Sequence, residues 1–107
     1  MFQQYTNAMV SSPSEGVTRR ILAHNNQLML VEFCFEAGLD LPLHTHPHTQ
    51  ASYLASGKIQ YCRGDETFTM LPGDSITIEP DIPHTIVTLE ASILIDAFTP
   101  AREDFLQ

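Results

Sequence analysis

Basic residues are scarce in this chain: 5 Lys and Arg stand against 13 Asp and Glu in 107 residues, for a formal charge of −8. A surface of that sign repels phosphate backbones, and no Lys/Arg cluster or basic–aromatic stripe offers a local exception. Neither nucleic acid nor an anionic membrane surface is an expected partner. Long apolar runs are missing too, none approaching the ~18 residues of a membrane helix, and the opening MFQQYTNAMVSSPSEGVTRR lacks a basic region followed by an apolar stretch. The expected location is cytoplasmic. Cysteine is limited to Cys34 and Cys62, each inside a strand-like run where a thiol serves as a small hydrophobe, so no disulfide framework is expected. Helical periodicity is absent from the middle of the chain.

What is present is an ordinary globular composition, 43% hydrophobic and 17% charged, at a length suited to one domain. Residues 1–20 are polar around the turn-forming cluster Ser11 to Gly16, which predicts an N-terminal arm with one short strand, of the kind that packs on a partner subunit. Residues 21–107 read as an all-β barrel. In LMLVEFCFE, Met29, Val31, Phe33 and Phe35 share one side and Leu30, Glu32, Cys34 and Glu36 the other, the alternation of a half-buried strand. Further strands are expected over 51–56, 58–63, 66–70, 75–79, 85–89 and 92–98. Gly64-Asp65 suits a two-residue hairpin loop and Leu71-Pro72-Gly73-Asp74 a second turn. Many short strands with dense turn residues point to an antiparallel barrel or sandwich. A helical turn is expected only in the tail from Pro100 to Gln107.

Chemistry concentrates in LHTHPHTQ, where His44, His46, His48 and Gln50 share one parity and, in an extended strand, one face. Neutral imidazoles in such pairs suit a divalent metal, closed by ligands from another strand. On spacing alone, a solvated histidine loop beside Pro47 remains the alternative. His24, in the turn-like HNN, reads as a loop residue.

The flanking residues decide between these. In GLDLPLHTHPHTQASYLASG, a Gly is followed after five residues by His-x-His, after three more by position 50, and after six more by a second Gly. This spacing of Gly38, His44, His46, Gln50 and Gly57 resembles the first motif of the cupin superfamily, with Gln in place of the usual acid. PGDSITIEPDIPHTI resembles the second, with Pro72-Gly73-Asp74 before a strand and His84 as a further ligand; the usual Asn after that histidine is missing, Val87 and Thr88 lying in its neighbourhood. The resemblance implies a single-domain cupin, an antiparallel jelly-roll β-barrel, holding one divalent ion (Ni, Zn, Mn, Fe or Co) through His44, His46, Gln50 and His84. It also implies a homodimer. His48 is the alternative to Gln50 as fourth ligand. Three imidazoles and an amide leave an M²⁺ ion its full charge, which favours polarising a carboxylate or carbonyl over redox chemistry with oxygen.

Asp96 stands in the apolar run SILIDAF, sharing its parity with Leu94 and Phe98. An ionised carboxylate on a buried face is costly unless it is paired or functional, and burial raises its pKa towards a range useful for acid or base work. A salt bridge to Arg102 is the plain alternative. Together, GVTRRILA, LMLV, His-x-His with Gln, and SILIDAFTPAREDF resemble the pectin-degradation cupins, which linearise 4,5-unsaturated monouronates to 5-keto-4-deoxyuronate. That resemblance implies a small anionic sugar as substrate and catalytic roles for Asp96, Phe98 and Arg102: proton transfer, a wall for the sugar face, and a forked carboxylate partner or charge screen. Of Arg19 and Arg20, adjacent strand residues facing opposite ways, at most one points inward. Tyr53 and Tyr61 read as barrel packing. A metal-dependent dioxygenase and a non-catalytic cupin that binds a small acid or sugar are the competing functions.

Overall fold

The computed structural model describes residues 1–107 as nine strands and two short 3₁₀ turns. The strands are β1 (Val10–Ser14), β2 (Val17–His24), β3 (Met29–Phe35), β4 (Thr49–Ser56), β5 (Ile59–Arg63), β6 (Glu66–Met70), β7 (Ser75–Ile78), β8 (His84–Thr88) and β9 (Ser92–Thr99). They form a six-stranded sheet in the order β1-β2-β3-β9-β4-β7 and a three-stranded sheet, β6-β5-β8, every pairing antiparallel. The segment from Gly38 to His44 extends the smaller sheet beside β8 through an irregular set of backbone bonds, among them Leu41 N–H to Ile86 O and the reciprocal pair between His44 and His84. This is the all-β jelly-roll barrel that the motifs imply.

The strand boundaries follow the alternation and the turns. On β3, Met29, Val31 and Phe35 are buried and Phe33 half-buried, the face read from the sequence. Gly64-Asp65 closes the β5–β6 hairpin, with Arg63 opposite Glu66 and Gly64 at φ 59°, a conformation open to glycine at little cost. Gly57, the last residue of the first motif, has a stricter reason: a Cβ there would lie 2.1 Å from Ser92 Oγ and 2.4 Å from the Ala91 carbonyl. β2 runs across residue 20, the limit set for the N-terminal arm, and pairs with β1 on one side and β3 on the other. Val17 and Ile21 are buried, so this part of the sequence contributes to the barrel wall. β1 is an edge strand, which is where Pro13 is tolerated. A 3₁₀ turn forms at Glu103–Leu106 in the expected tail, and a second at Tyr5–Asn7, which the composition does not announce.

Two apolar clusters fill the interior. One holds Val17, Phe35, Leu54, Ile59, Tyr61, Met70, Ile78, Ile86 and Leu94; the other holds Ile21, Met29, Val31, Phe98, Ala101 and Phe105. Inward positions of β4 and β9 (Gln50, Ser52, Asp96) carry polar groups, and these lie where the site is built.

Candidate metal centre

His44 and His84 face one another across the reciprocal backbone pair His44 N–H to His84 O (3.1 Å) and His84 N–H to His44 O (3.0 Å). Their rings lie 4.2 Å apart between centroids, and the ring of His46 lies 4.7 Å from that of His84. One ligand atom from each of the three falls within 4.8 Å of the others. Alternation along a strand is not the cause. Residues 45–48 are not strand, the chain bends at Pro47-His48, and β4 begins only at Thr49. The cross-sheet bridge at His44 and an anchor from Asp81 N–H to the His46 carbonyl converge the rings instead.

The orientation of the His44 and His84 rings suits a cation. His84 Nδ1–H donates to the Ile82 carbonyl at 2.8 Å and His44 Nδ1–H to the Pro42 carbonyl at 3.2 Å, which fixes tautomers leaving Nε2 as a lone-pair donor. His84 is 1% exposed, and its Nε2 is buried with no hydrogen-bond partner, an orphaned atom that a metal ion would satisfy. Burial lowers the pKa of His46, and that of His84 to about 4, so both remain neutral near pH 7, the state in which imidazole ligates. Gln50 Oε1 lies 2.8 Å from His46 Nε2, so the amide oxygen stands beside a ring nitrogen of the cluster and could join it as a donor. The donor set therefore fits one divalent ion. His48 lies outside the three-histidine cluster; its ring sits 5.4 Å from that of His46 and 6.3 Å from Phe98.

A second layer connects this cluster to Asp96. Gln50 and Ser52 alternate onto the same inward face of β4, and the antiparallel register sets Ser52 directly opposite Asp96 on β9. Gln50 Nε2 donates to Ser52 Oγ and to Tyr61 Oη, both at 3.0 Å, and Ser52 Oγ–H donates to Asp96 Oδ1 at 2.6 Å. Asp96 is 4% exposed, with Val31 as its partner on the other flanking strand. Burial pushes its carboxyl up to about 7, against the opposing pull of the Ser52 and Gln50 hydrogen bonds and of the Arg102 charge. Tyr61, read from the sequence as packing, brings a phenol from the opposite sheet into this network, and burial raises its pKa. Only its inward parity with Ile59 was visible in the sequence. Ser52 carried no signal beyond its spacing from Gln50.

Asp96 makes no ion pair with Arg102. The Arg102 fork is engaged by Asp104, at 3.0 and 2.8 Å, and its guanidinium lies over Phe98 at 5.0 Å and Phe105 at 4.1 Å. Phe98 is buried, its ring edge-on to His46 at 5.6 Å. Arg19 points inward and Arg20 outward, as adjacent strand positions require. His44, Gln50, Tyr61, His84, Asp96, Phe98, Arg102 and Arg19 line one cleft of about 240 Å³.

A cupin-domain family model matches residues 31–96, more than half of the chain. The chain is 34% identical over 94 residues to the pectin degradation protein KdgF of Dickeya dadantii (strain 3937), covering 86% of each protein. It superposes on the crystal structure of an RmlC-like cupin from Shewanella frigidimarina NCIMB 400 with a TM-score of 0.91 and 33% identity, covering 97% of this chain and 94% of that one. KdgF from Halomonas sp. gives a TM-score of 0.91 at 30% identity, over 98% of this chain and 99% of the other. With two motifs, a jelly-roll barrel and a three-histidine cluster, the chain belongs to the cupin family and resembles its pectin-degradation members.

Proposed function

We propose that this protein opens 4,5-unsaturated monouronates to the linear 5-keto-4-deoxyuronate, using one divalent ion held by His44, His46, Gln50 and His84. The observation that carries the reading is the buried Asp96, joined through Ser52 and Gln50 to the histidine cluster and carrying a pKa of about 7. Two relatives, one matched in sequence and one in structure, bear the name KdgF, the first of them described as a pectin degradation protein, which supports the same substrate class.

The reaction is an isomerisation. A proton leaves the anomeric hydroxyl, the bond between the anomeric carbon and the ring oxygen breaks, and the resulting enol becomes a ketone by taking a proton at the unsaturated carbon. No oxidant or reductant is needed. A bound divalent ion would supply Lewis-acid polarisation of substrate oxygens, undiminished by any anionic ligand from the chain. Asp96, with a pKa near neutrality, is suited both to accept the first proton and to return one. Ser52 holds the carboxylate in place. Phe98 and Phe105 wall the cleft against water, and Arg102, its fork held by Asp104, adds positive charge at the mouth.

The test is to load the purified protein with Ni, Zn, Mn, Fe or Co in turn and follow loss of the unsaturated chromophore of free monouronates. Faster decay than in buffer, without oxygen consumption, is the expected result. A decay rate unchanged with every metal would overturn the reading, and oxygen uptake by the iron-loaded sample would favour a dioxygenase.

A further inference from the structure

The chain has four arginines, and three of them are paired with carboxylates: Arg20 with Glu32 at 3.7 Å, Arg63 with Glu66 at 3.0 Å and Arg102 with Asp104 at 2.8 Å. Arg19 is the exception. No carboxylate oxygen lies within 4.0 Å of it, its side chain makes no hydrogen bond, and its Nε is buried without a partner. In a protein with 13 acidic residues, a cation left unpaired is not a shortage of anions.

Its position sharpens the anomaly. Arg19 occupies the inward face of β2 between the buried Val17 and Ile21, a place where an apolar side chain would pack at no electrostatic cost. Its guanidinium lies 4.1 Å over one face of the Phe105 ring system, and Arg102 stacks on the same ring at 4.1 Å. Burial disfavours the charged form of Arg19; the Asp104 charge favours it without making contact, and the Arg102 charge disfavours it to a smaller degree. Arg19 lines the same cleft as His44, His84 and Asp96. The stack holds its donors in place while the neighbouring arginine has its fork already filled.

We propose that Arg19 is the group that receives the carboxylate of a small sugar acid in this cleft, with Arg102 acting as the charged support of the Phe105 stack. This rests on the uronate reading for the identity of the sugar, though the anion site itself stands on the unpaired cation. A planar guanidinium with free donors accepts a carboxylate through two parallel hydrogen bonds, which a neutral hydroxymethyl group in its place would not form. The residue would thus select acids over neutral sugars while taking no part in proton transfer.

The experiment is calorimetric titration of the metal-loaded protein with D-galacturonate, a uronate lacking the unsaturated bond and so unreactive here, and with D-galactose as its neutral counterpart. Wild type is expected to prefer the acid. Arg19→Gln should weaken galacturonate binding about 10- to 100-fold, the range for one charge-assisted contact, and leave galactose unaffected. Turnover of the unsaturated substrate should lose the same factor through KM, with kcat largely kept. Arg19→Lys, which retains the stem and the charge, should lose part of the affinity and serves if the Gln variant does not fold. Galacturonate affinity unchanged in both variants, no preference of wild type for the acid, or a larger loss in Arg102→Gln than in Arg19→Gln would each overturn the assignment. Failure of the uronate reading would appear separately, as absent chromophore decay in wild type whatever the titrations give.

Discussion

The paired strands β9 and β4 of the large sheet each pass from one chemical regime to another within a few residues. On β9, Leu94 belongs to the larger apolar cluster, Asp96 to the hydrogen-bonded network, and Phe98 to the smaller cluster; on β4, Leu54 is apolar while Ser52 and Gln50 are polar. All share the inward face. The apolar end is closed by shape and excluded water, so its residues are interchangeable within limits of volume. At the polar end each side chain is defined by a particular partner, and loss of one strands another. The same barrel wall thus keeps a stability half and a chemistry half in register.

Several substitutions would break or sharpen this contrast. The largest effect is expected for Asp96→Asn, which keeps the side-chain volume and should reduce turnover of the unsaturated monouronate about 10²- to 10⁴-fold with metal content by elemental analysis unchanged. Leu54→Ala, at a fully buried position of the apolar half, should cost about 2–5 kcal/mol in urea unfolding while turnover per folded molecule stays near wild type. Similar damage to both properties from either substitution would erase the distinction.

The pH dependence of the metal-free protein offers a finer probe. The carboxyl of Asp96 is raised from 3.8 to about 7, so the folded chain keeps a proton that the unfolded chain releases, and this residue withdraws stability as pH rises across that interval. The imidazole of His84 is lowered from 6.5 to about 4: the unfolded chain takes up a proton that the folded one refuses, and stability grows as pH rises from about 4 to 6.5. The two oppose each other in wild type. Asp96→Asn should leave the histidine contribution exposed, giving a urea midpoint that climbs more steeply between pH 4.5 and 6.5 than that of wild type; parallel curves would count against the buried carboxyl. The smallest effect is expected for Tyr61→Phe, which removes one acceptor of the Gln50 amide and should lower stability by about 1 kcal/mol with turnover reduced several-fold.

Much of the barrel was legible because alternation and turns are local properties. Met29, Val31 and Phe35 declare their face by parity, and Gly64-Asp65 marks a hairpin by the conformation it permits. The β1–β2 hairpin was not, since a Ser- and Pro-rich edge strand has no apolar side to display, although Val17 and Ile21 do alternate inward. The histidines were visible as a motif but not as geometry. Their convergence depends on a bridge between residues 44 and 84, a pairing that no local pattern encodes. Asp96 was legible as a carboxylate in an apolar run. Its partner Ser52 comes from strand register, and the solitude of Arg19 emerges only once every other arginine has found its acid.

The side chain at position 50 sets the direction of the hydrogen-bond chain. Because its Nε2 hydrogens point away from the histidines, they occupy the lone pairs of Ser52 and Tyr61, and the Ser52 hydroxyl is left to spend its own hydrogen on Asp96. A glutamate there would have no hydrogens to give. It would draw the Ser52 proton towards itself, and Asp96, facing lone pairs, would have to remain an acid. The amide thus polarises the chain from the histidine cluster outwards, so that a single atom exchange at residue 50 would reverse which end of the relay begins with a proton in hand.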